Sequence, residues 1–348
     1  MSTVRWKLYP LVAQSELARA WLQMQANLQL ASKTIDAYGR CLEDFLQFCG
    51  EWDIVPQEIT REQIALYVKD LALRPNPRGP KILQIGSGVG LANATMQQRI
   101  TVVRLFCEYL VEKQLRADNP VGRGHYVPGK GFAGARARGL IPRHRRLPWI
   151  PSDEQWETIL CALKGESLRN QLMFLLAYDG ALRREELVRL DIADFDFAYQ
   201  QVTVRAEYAK RGRERVVGYS KVTGRLLKAY LQRRRSLSTQ HGALFLSESR
   251  RNPAQPLSLV TWSKVVQKLG ERCNLPRLST HTTRHLRLTH LARAKMDLHQ
   301  IALYAGHRSL ETTMLYIHLS GVELTEAVAK GLAGFESWIE RILGEGWQ

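Results

Sequence analysis

Between residues 116 and 150 the chain loses every hydrophobic period, while on both sides of that stretch apolar residues recur at helical spacing. Such a break divides a chain into two folded bodies joined by a tether. The stretch holds six glycines and four prolines. It is also strongly basic: Arg116, Arg123, Lys130, Arg136, Arg138, Arg143, Arg145 and Arg146 face Asp118 as the one acid. Across all 348 residues, 50 Lys and Arg against 33 Asp and Glu leave +17 at pH 7. Such an excess points to nucleic acid, an anionic surface, or solubility alone. A basic tether between two bodies is suited to lie along a phosphate backbone. The longest apolar run, Leu172 to Tyr178, is far short of the ~18 residues a membrane span needs. The N-terminus lacks the apolar stretch of a signal peptide, so a cytoplasmic, non-membrane protein is expected. The five cysteines are scattered, odd in number and without a CxxC pair, a pattern of reduced thiols.

The first half reads as a small helical bundle. Ser32 as N-cap, with Ile35, Tyr38, Leu42, Phe45, Leu46 and Cys49 on one face and Gly50 closing, predicts one helix. Thr60 with Gln63 forms a capping box for a second. A third runs from about Ala94 through Phe106 to Leu110, before Asn119-Pro120. Gly86, Gly88 and Gly90 lack the G-x-G-x-x-G order and a βαβ setting, so they predict a loop. In the second half Ser152 and Gln155 cap a helix, and further helices are expected at Leu168 to Tyr178, from near Arg183, and across Lys221–Arg235, Ser258–Cys273, Thr280–Ala294, Leu298–Tyr304 and Glu323–Leu343. Alternation in VTVRAEY and RERVVGYS, around AKRG, predicts a β-hairpin. The fold class is therefore mainly α with a small antiparallel sheet.

Four short stretches concentrate the unusual polar residues: DGALRREEL with Arg183 and Glu186, the hairpin tip with Lys210, Arg211 and Arg213, HTTRH with His281 and Arg284, and AGHRSLETTMLYIH with His307 nine residues before Tyr316. His281 and His285 are spaced like a zinc pair, but HTTRH lacks the Glu of HExxH and a third ligand, so no metal is expected.

Together and in this order the boxes ALRREEL, AKRGRER, HTTRH, AGHRSL and TTMLYIH resemble the tyrosine recombinases, the integrase family of site-specific DNA recombinases. The likeness extends over roughly residues 15 to 320, including SKTIDAYGRCLEDFLQF and NATMQQRITVVRLFCEYL. It implies a helical core-binding domain at 1–118, a basic linker at 119–150 and a mixed α/β catalytic domain with a tail helix at 151–348, closing as a clamp on double-stranded DNA. It further implies that Tyr316 attacks the scissile phosphate, giving a 3′-phosphotyrosyl intermediate without ATP, metal or other cofactor. Arg183 and Arg284 would hold phosphate oxygens, His307 would donate to another, His281 would partner the tyrosine, and Lys210 would protonate the leaving 5′-oxygen. Glu186 would orient its neighbours. Arg136, Arg138, Arg143, Arg145, Arg146, Arg211 and Arg213 are candidate DNA contacts.

Three positions depart from the pattern. Ala181 replaces a usual Gly, Thr283 a common Leu, and Lys295 a common helix-ending Gly. Arg184 beside Arg183 allows a one-residue shift, which Glu186-Leu187 resolves toward Arg183. The resemblance also implies a homotetramer on two synapsed sites. The tail, with Leu324, Val328, Leu332, Phe335, Trp338 and Ile342 at helical spacing, packs either on its own domain or on a neighbour. An integrase- or transposase-like role on a mobile element and a resolvase-like role both fit. The alternatives are a type IB topoisomerase-like relaxation of DNA and a DNA-binding protein without catalysis.

Overall fold

The computed structural model describes residues 3–74, 90–121, 140–141, 147–208, 213–307, 309–321 and 335. It divides into two compact units, Met1–Arg145 and Arg146–Gln348.

The first unit contains helices α1 (Pro10–Gln14), α2 (Glu16–Asn27), α3 (Ser32–Glu51), α4 (Arg61–Leu73) and α5 (Asn93–Glu112). Its core is aromatic: Trp21, Phe45, Phe48, Tyr67 and Phe106 are all buried. The Thr60–Gln63 capping box forms in both directions, Gln63 Oε1 accepting from the Thr60 N–H at 2.8 Å. Two boundaries shift. Ser32 is the first helical residue, with Ala31 at the cap, and α3 runs past Gly50 to Glu51. Helices α1 and α2 precede the first helix read from periodicity; Ser15 caps α2, accepting from the Ala18 N–H. After α5, Asn119 pins the chain: its side-chain amide donates to the Arg104 carbonyl and its oxygen accepts from the Val121 N–H.

The second unit contains α6 (Asp153–Leu163), α7 (Leu168–Asp179), α8 (Arg184–Val188), strands β1 (Phe195–Asp196), β2 (Gln201–Val204) and β3 (Arg215–Gly218), then α9 (Lys221–Leu237), α10 (Leu259–Arg272), α11 (Thr282–Arg293), α12 (Leu298–Ala305) and α13 (Leu310–Ser320). The sheet is antiparallel in the order β1-β2-β3, and β2 pairs with β3 from Gln201↔Gly218 to Val204↔Arg215. The expected hairpin is thus present but its strands are shorter, because Arg205 turns away to donate to the Arg189 carbonyl at 2.9 Å. Strand β1 was not expected; two residues are too few to show alternation. The main core gathers Leu172, Phe174, Val217, Tyr230, Phe245 and Trp262. A smaller cluster of Ala181, Leu288, Ala292, Ile301, Ala305 and Tyr316 lies under the polar site.

Two of the departures carry backbone consequences. Ala181 has φ +46° and Lys295 φ +58°, the left-handed region where glycine is at ease. Thr283 is 2% exposed and its Oγ1 has no hydrogen-bond partner. A buried hydroxyl left unpaired costs about 1–3 kcal/mol. Thr283→Val should therefore raise stability by ~1 kcal/mol, read as a melting temperature ~2–4 °C higher by calorimetry.

The interdomain stretch with Arg136, Arg138, Arg143, Arg145 and Arg146, the hairpin tip with Lys210 and Arg211, and the tail apart from Phe335 lie outside the described residues. Most of the glycine-rich loop does too. Among the described residues no helix is long and apolar enough to cross a membrane.

Candidate active site

The turn after α7 supplies the first component. Ala181 in its left-handed conformation reverses the chain, and Arg183 becomes the N-cap of α8. The Arg183 N–H donates to Glu186 Oε2 at 2.8 Å, its Nη1 donates to Glu186 Oε1 at 2.8 Å, and its Nη2 reaches the Gly306 carbonyl at 3.3 Å. Glu186 has no exposed side-chain surface. It also takes two bonds from Arg215 at the start of β3, at 3.1 Å and 2.7 Å. Burial alone would push its carboxyl up, but hydrogen bonds from Arg215 and the charges of Arg215 and Arg183 hold it at about 2.

Helix α11 supplies the second. Arg284, 3% exposed, donates through Nη1 to the Ala181 carbonyl at 2.6 Å and through Nη2 to the Ala305 carbonyl. Its Nη2 also lies 3.0 Å from His307 Nε2. Burial first, then the charge of Arg183, lowers this guanidinium to about 9. Three guanidiniums against one carboxylate leave the site with two surplus positive charges. Such a constellation suits a doubly oxygenated anion such as a phosphodiester.

The end of α12 and helix α13 supply the third. Gly306, at φ +63°, closes α12 and turns His307 into the site. Since Arg284 can only donate, His307 Nε2 accepts and its Nδ1–H donates to Thr313 Oγ1 at 2.9 Å. Tyr316 is 2% exposed, with its ring stacked against His307 at 5.9 Å and His285 at 5.8 Å. Its hydroxyl meets His285 Nδ1 at 2.9 Å. Burial raises the phenol above its usual range, opposed by Arg284 and Arg183.

The structure thus brings together Arg183, Glu186, Arg284, His307 and Tyr316. One expected contact differs. The partner of Tyr316 in this state is His285, not His281, because His281 caps α11 as an exposed residue while His285 lies one turn deeper. His307 Nε2 accepts from Arg284. Arg213 is exposed and lines a groove with Arg215, Tyr304 and His307.

Comparison with known proteins gives this geometry a family. A model described as the phage integrase family matches residues 151–322. Tyrosine recombinase XerC of Pelotomaculum thermopropionicum is 31% identical over 251 residues, covering 69% of this chain and 76% of that protein. The chain belongs to the phage integrase family of tyrosine recombinases. Tyrosine recombinase XerD of Halalkalibacterium halodurans is 25% identical over 310 residues, covering 86% of this chain and 91% of that protein. Among solved structures, XerH recombinase bound to its palindromic difH substrate after cleavage shares the fold at TM-score 0.62 and 20% identity, over 86% of this chain and 80% of that one. The Tn1549 transposon integrase in complex with circular intermediate DNA does so at TM-score 0.62 and 16% identity, over 84% and 92%. This recombinase is an enzyme of site-specific DNA recombination, and DNA is its partner. Relaxation of DNA and binding without catalysis are not favoured.

Three residues of the recombinase site escaped sequence reading. His285 stood out only as half of a zinc-like pair, Arg215 was one of several arginines near the hairpin tip, and Thr313 carried no signal.

The histidines predict a pH dependence. Burial, then neighbouring guanidiniums, pushes His307 down to about 3; burial, then His281 and Arg284, pushes His285 to about 4. In the unfolded chain both titrate near 6.5. Between those values the unfolded chain binds protons the folded one does not, so stability falls as pH falls below ~6.5. Glu186 adds stability that is present above ~4.5 and is lost as pH falls toward 2. Melting temperatures from pH 8 to 5 should decline, and the slope should be shallower in His285→Gln.

Proposed function

We propose that this enzyme exchanges DNA strands through a covalent bond to Tyr316. The observation that carries the reading is the convergence of Tyr316, Arg183, Arg284 and His307 from four chain segments, with surplus positive charge where a phosphodiester would sit. In the step, the Tyr316 oxygen forms a bond to phosphorus and the bond from phosphorus to the 5′-oxygen breaks. The phenol proton passes to a neutral histidine, and the exposed His281 and the bonded His285 are the two acceptors at hand. Lys210 gives a proton to the departing 5′-oxygen. Arg183 and Arg284 stabilise charge on the non-bridging oxygens, and once phosphate replaces His307 as acceptor for Arg284, His307 joins them as the tautomer protonated at Nε2, with the Thr313 hydroxyl donating to Nδ1. One phosphate ester is exchanged for another, so rejoining needs no ATP, and the chemistry reads without a metal.

Each protomer has one such tyrosine, and exchange between two duplexes cuts four strands. That count supports a homotetramer on two synapsed sites, with the tail bridging protomers. The basic linker, including Arg136, Arg138, Arg143, Arg145 and Arg146, together with Arg211 and Arg213, would neutralise backbone phosphates, closing 1–118 and 151–348 around the duplex. An integrase- or resolvase-like role on mobile or chromosomal DNA, in the cytoplasm, completes the reading.

The test is covalent capture. The full-length protein is mixed with a random-sequence duplex pool, quenched in detergent, and the retained DNA is sequenced and rebuilt as a nicked duplex. A protein–DNA band on a denaturing gel, with the phosphate on Tyr316 by mass spectrometry, is expected. Absence of any adduct overturns the mechanism.

A further inference from the structure

We propose that Arg215 is a positioning residue of this active site: by neutralising Glu186 it leaves Arg183 free to bind the scissile phosphate. The inference rests on the reading of Arg183 as a phosphate-binding residue. Its basis is the way one buried carboxylate is shared. Glu186 is needed by Arg183 twice over, since it accepts from the Arg183 N–H that starts α8 and from the Arg183 guanidinium. A carboxylate with no exposed surface and one guanidinium partner would form a closed neutral pair, and that pair would withdraw Arg183 from the substrate.

Arg215 prevents this. Its side chain is 7% exposed, and it presents two nitrogens to the two Glu186 oxygens, the bidentate geometry that an arginine makes best. With Arg215 in place the cluster of Arg183, Glu186 and Arg215 carries one net positive charge. Since Arg215 is itself buried, the Arg183 guanidinium, with 21% of its side chain exposed, is where that charge can meet a ligand.

The same side chain fixes the wall opposite. Arg215 Nε donates to the Tyr304 carbonyl at 2.9 Å, near the end of α12. Two residues on, the Gly306 carbonyl accepts from Arg183, and His307 follows. A Cβ at Gly306 would lie 3.2 Å from Arg215 Nη1, so the glycine also makes room for this arginine. Arg215 thus ties β3, the start of α8 and the end of α12 to one carboxylate.

The test compares single-turnover adduct formation on two nicked duplexes of the captured sequence, one with the ordinary scissile phosphate and one with an uncharged methylphosphonate there. Wild type, Arg183→Ala, Arg215→Gln, Arg215→Lys and the double variant Arg215→Gln/Glu186→Gln are measured at saturating protein, each with a thermal melt. Arg215→Gln should slow cleavage of the phosphate about 100-fold, the size of losing one charged donor, and of the methylphosphonate less than about 10-fold. Arg183→Ala should show the same pattern. The double variant should recover at least about 10-fold over Arg215→Gln, because no buried carboxylate remains to capture Arg183. Arg215→Lys should recover part of the loss. Equal losses of Arg215→Gln on both substrates, or a double variant no faster than the single, would overturn the proposal. If Arg215→Gln fails to fold, Arg215→Lys and the uncharged double variant decide by the same criteria. If wild type forms no adduct, or Arg183→Ala shows no preference for the neutral substrate, the reading of Arg183 fails and takes the proposal with it.

Discussion

Tyr316→Phe is expected to yield no covalent protein–DNA adduct, while the second unit stays folded and the protein still binds DNA. The phenyl ring keeps its place between His285 and His307, whose centroids lie 5.8 Å and 5.9 Å away. Only the hydroxyl is lost, and with it the atom proposed to bond to phosphorus. The variant leaves His285 Nδ1 without its partner at 2.9 Å. That lowers stability by about 1 kcal/mol, a few degrees in melting temperature. Adduct formation is scored on a denaturing gel against a calorimetric control. A residual adduct in a folded variant would show that the attacking oxygen belongs elsewhere.

Arg284→Ala should have the largest combined effect, because this side chain serves the fold and, in the proposed reaction, the chemistry. It ties the Ala181 carbonyl in the turn before α8 to the Ala305 carbonyl at the end of α12. Truncation leaves both acceptors unpaired in a buried place, together with a cavity. The expected loss is about 3–5 kcal/mol of stability. The rate of adduct formation should fall by about 1,000-fold or more at a temperature where the variant remains folded, as charge opposite the phosphate disappears. Arg284→Lys keeps a charge but cannot reach two carbonyls and a phosphate oxygen from one nitrogen, so it should recover little of either. Urea unfolding and single-turnover cleavage separate the two losses. A variant that loses stability yet cleaves at the wild-type rate would confine Arg284 to a structural role.

The departures from the family pattern find their meaning in the backbone. Ala181 and Lys295 both occupy conformations where glycine is common, so the pattern's glycines mark turns that the chain makes anyway, under some strain. Thr283, by contrast, is a polar residue in an apolar position whose hydroxyl finds no partner. Nothing in a linear pattern distinguishes these cases, since strain and satisfaction are properties of the folded surroundings.

Helix faces, caps and the boxes around Arg183, His281, His307 and Tyr316 were legible in the sequence because they depend on neighbours one to four residues away. Thr60 and Gln63, for instance, cap α4 by contacts that require no tertiary structure. Chain order alone also carried the resemblance to the family, since the boxes recur in the family's order and spacing. What only the tertiary structure decided is how the polar groups share one another. Arg215 meets Glu186 across 29 positions, Tyr316 meets His285 across 31, and Arg284 meets Ala181 across 103. Each of these pairings is selected by burial: a charge or hydroxyl taken out of water must find a partner among whatever the fold places beside it. Sequence names the groups capable of the chemistry, and the desolvated interior assigns which of them hold, neutralise or release one another.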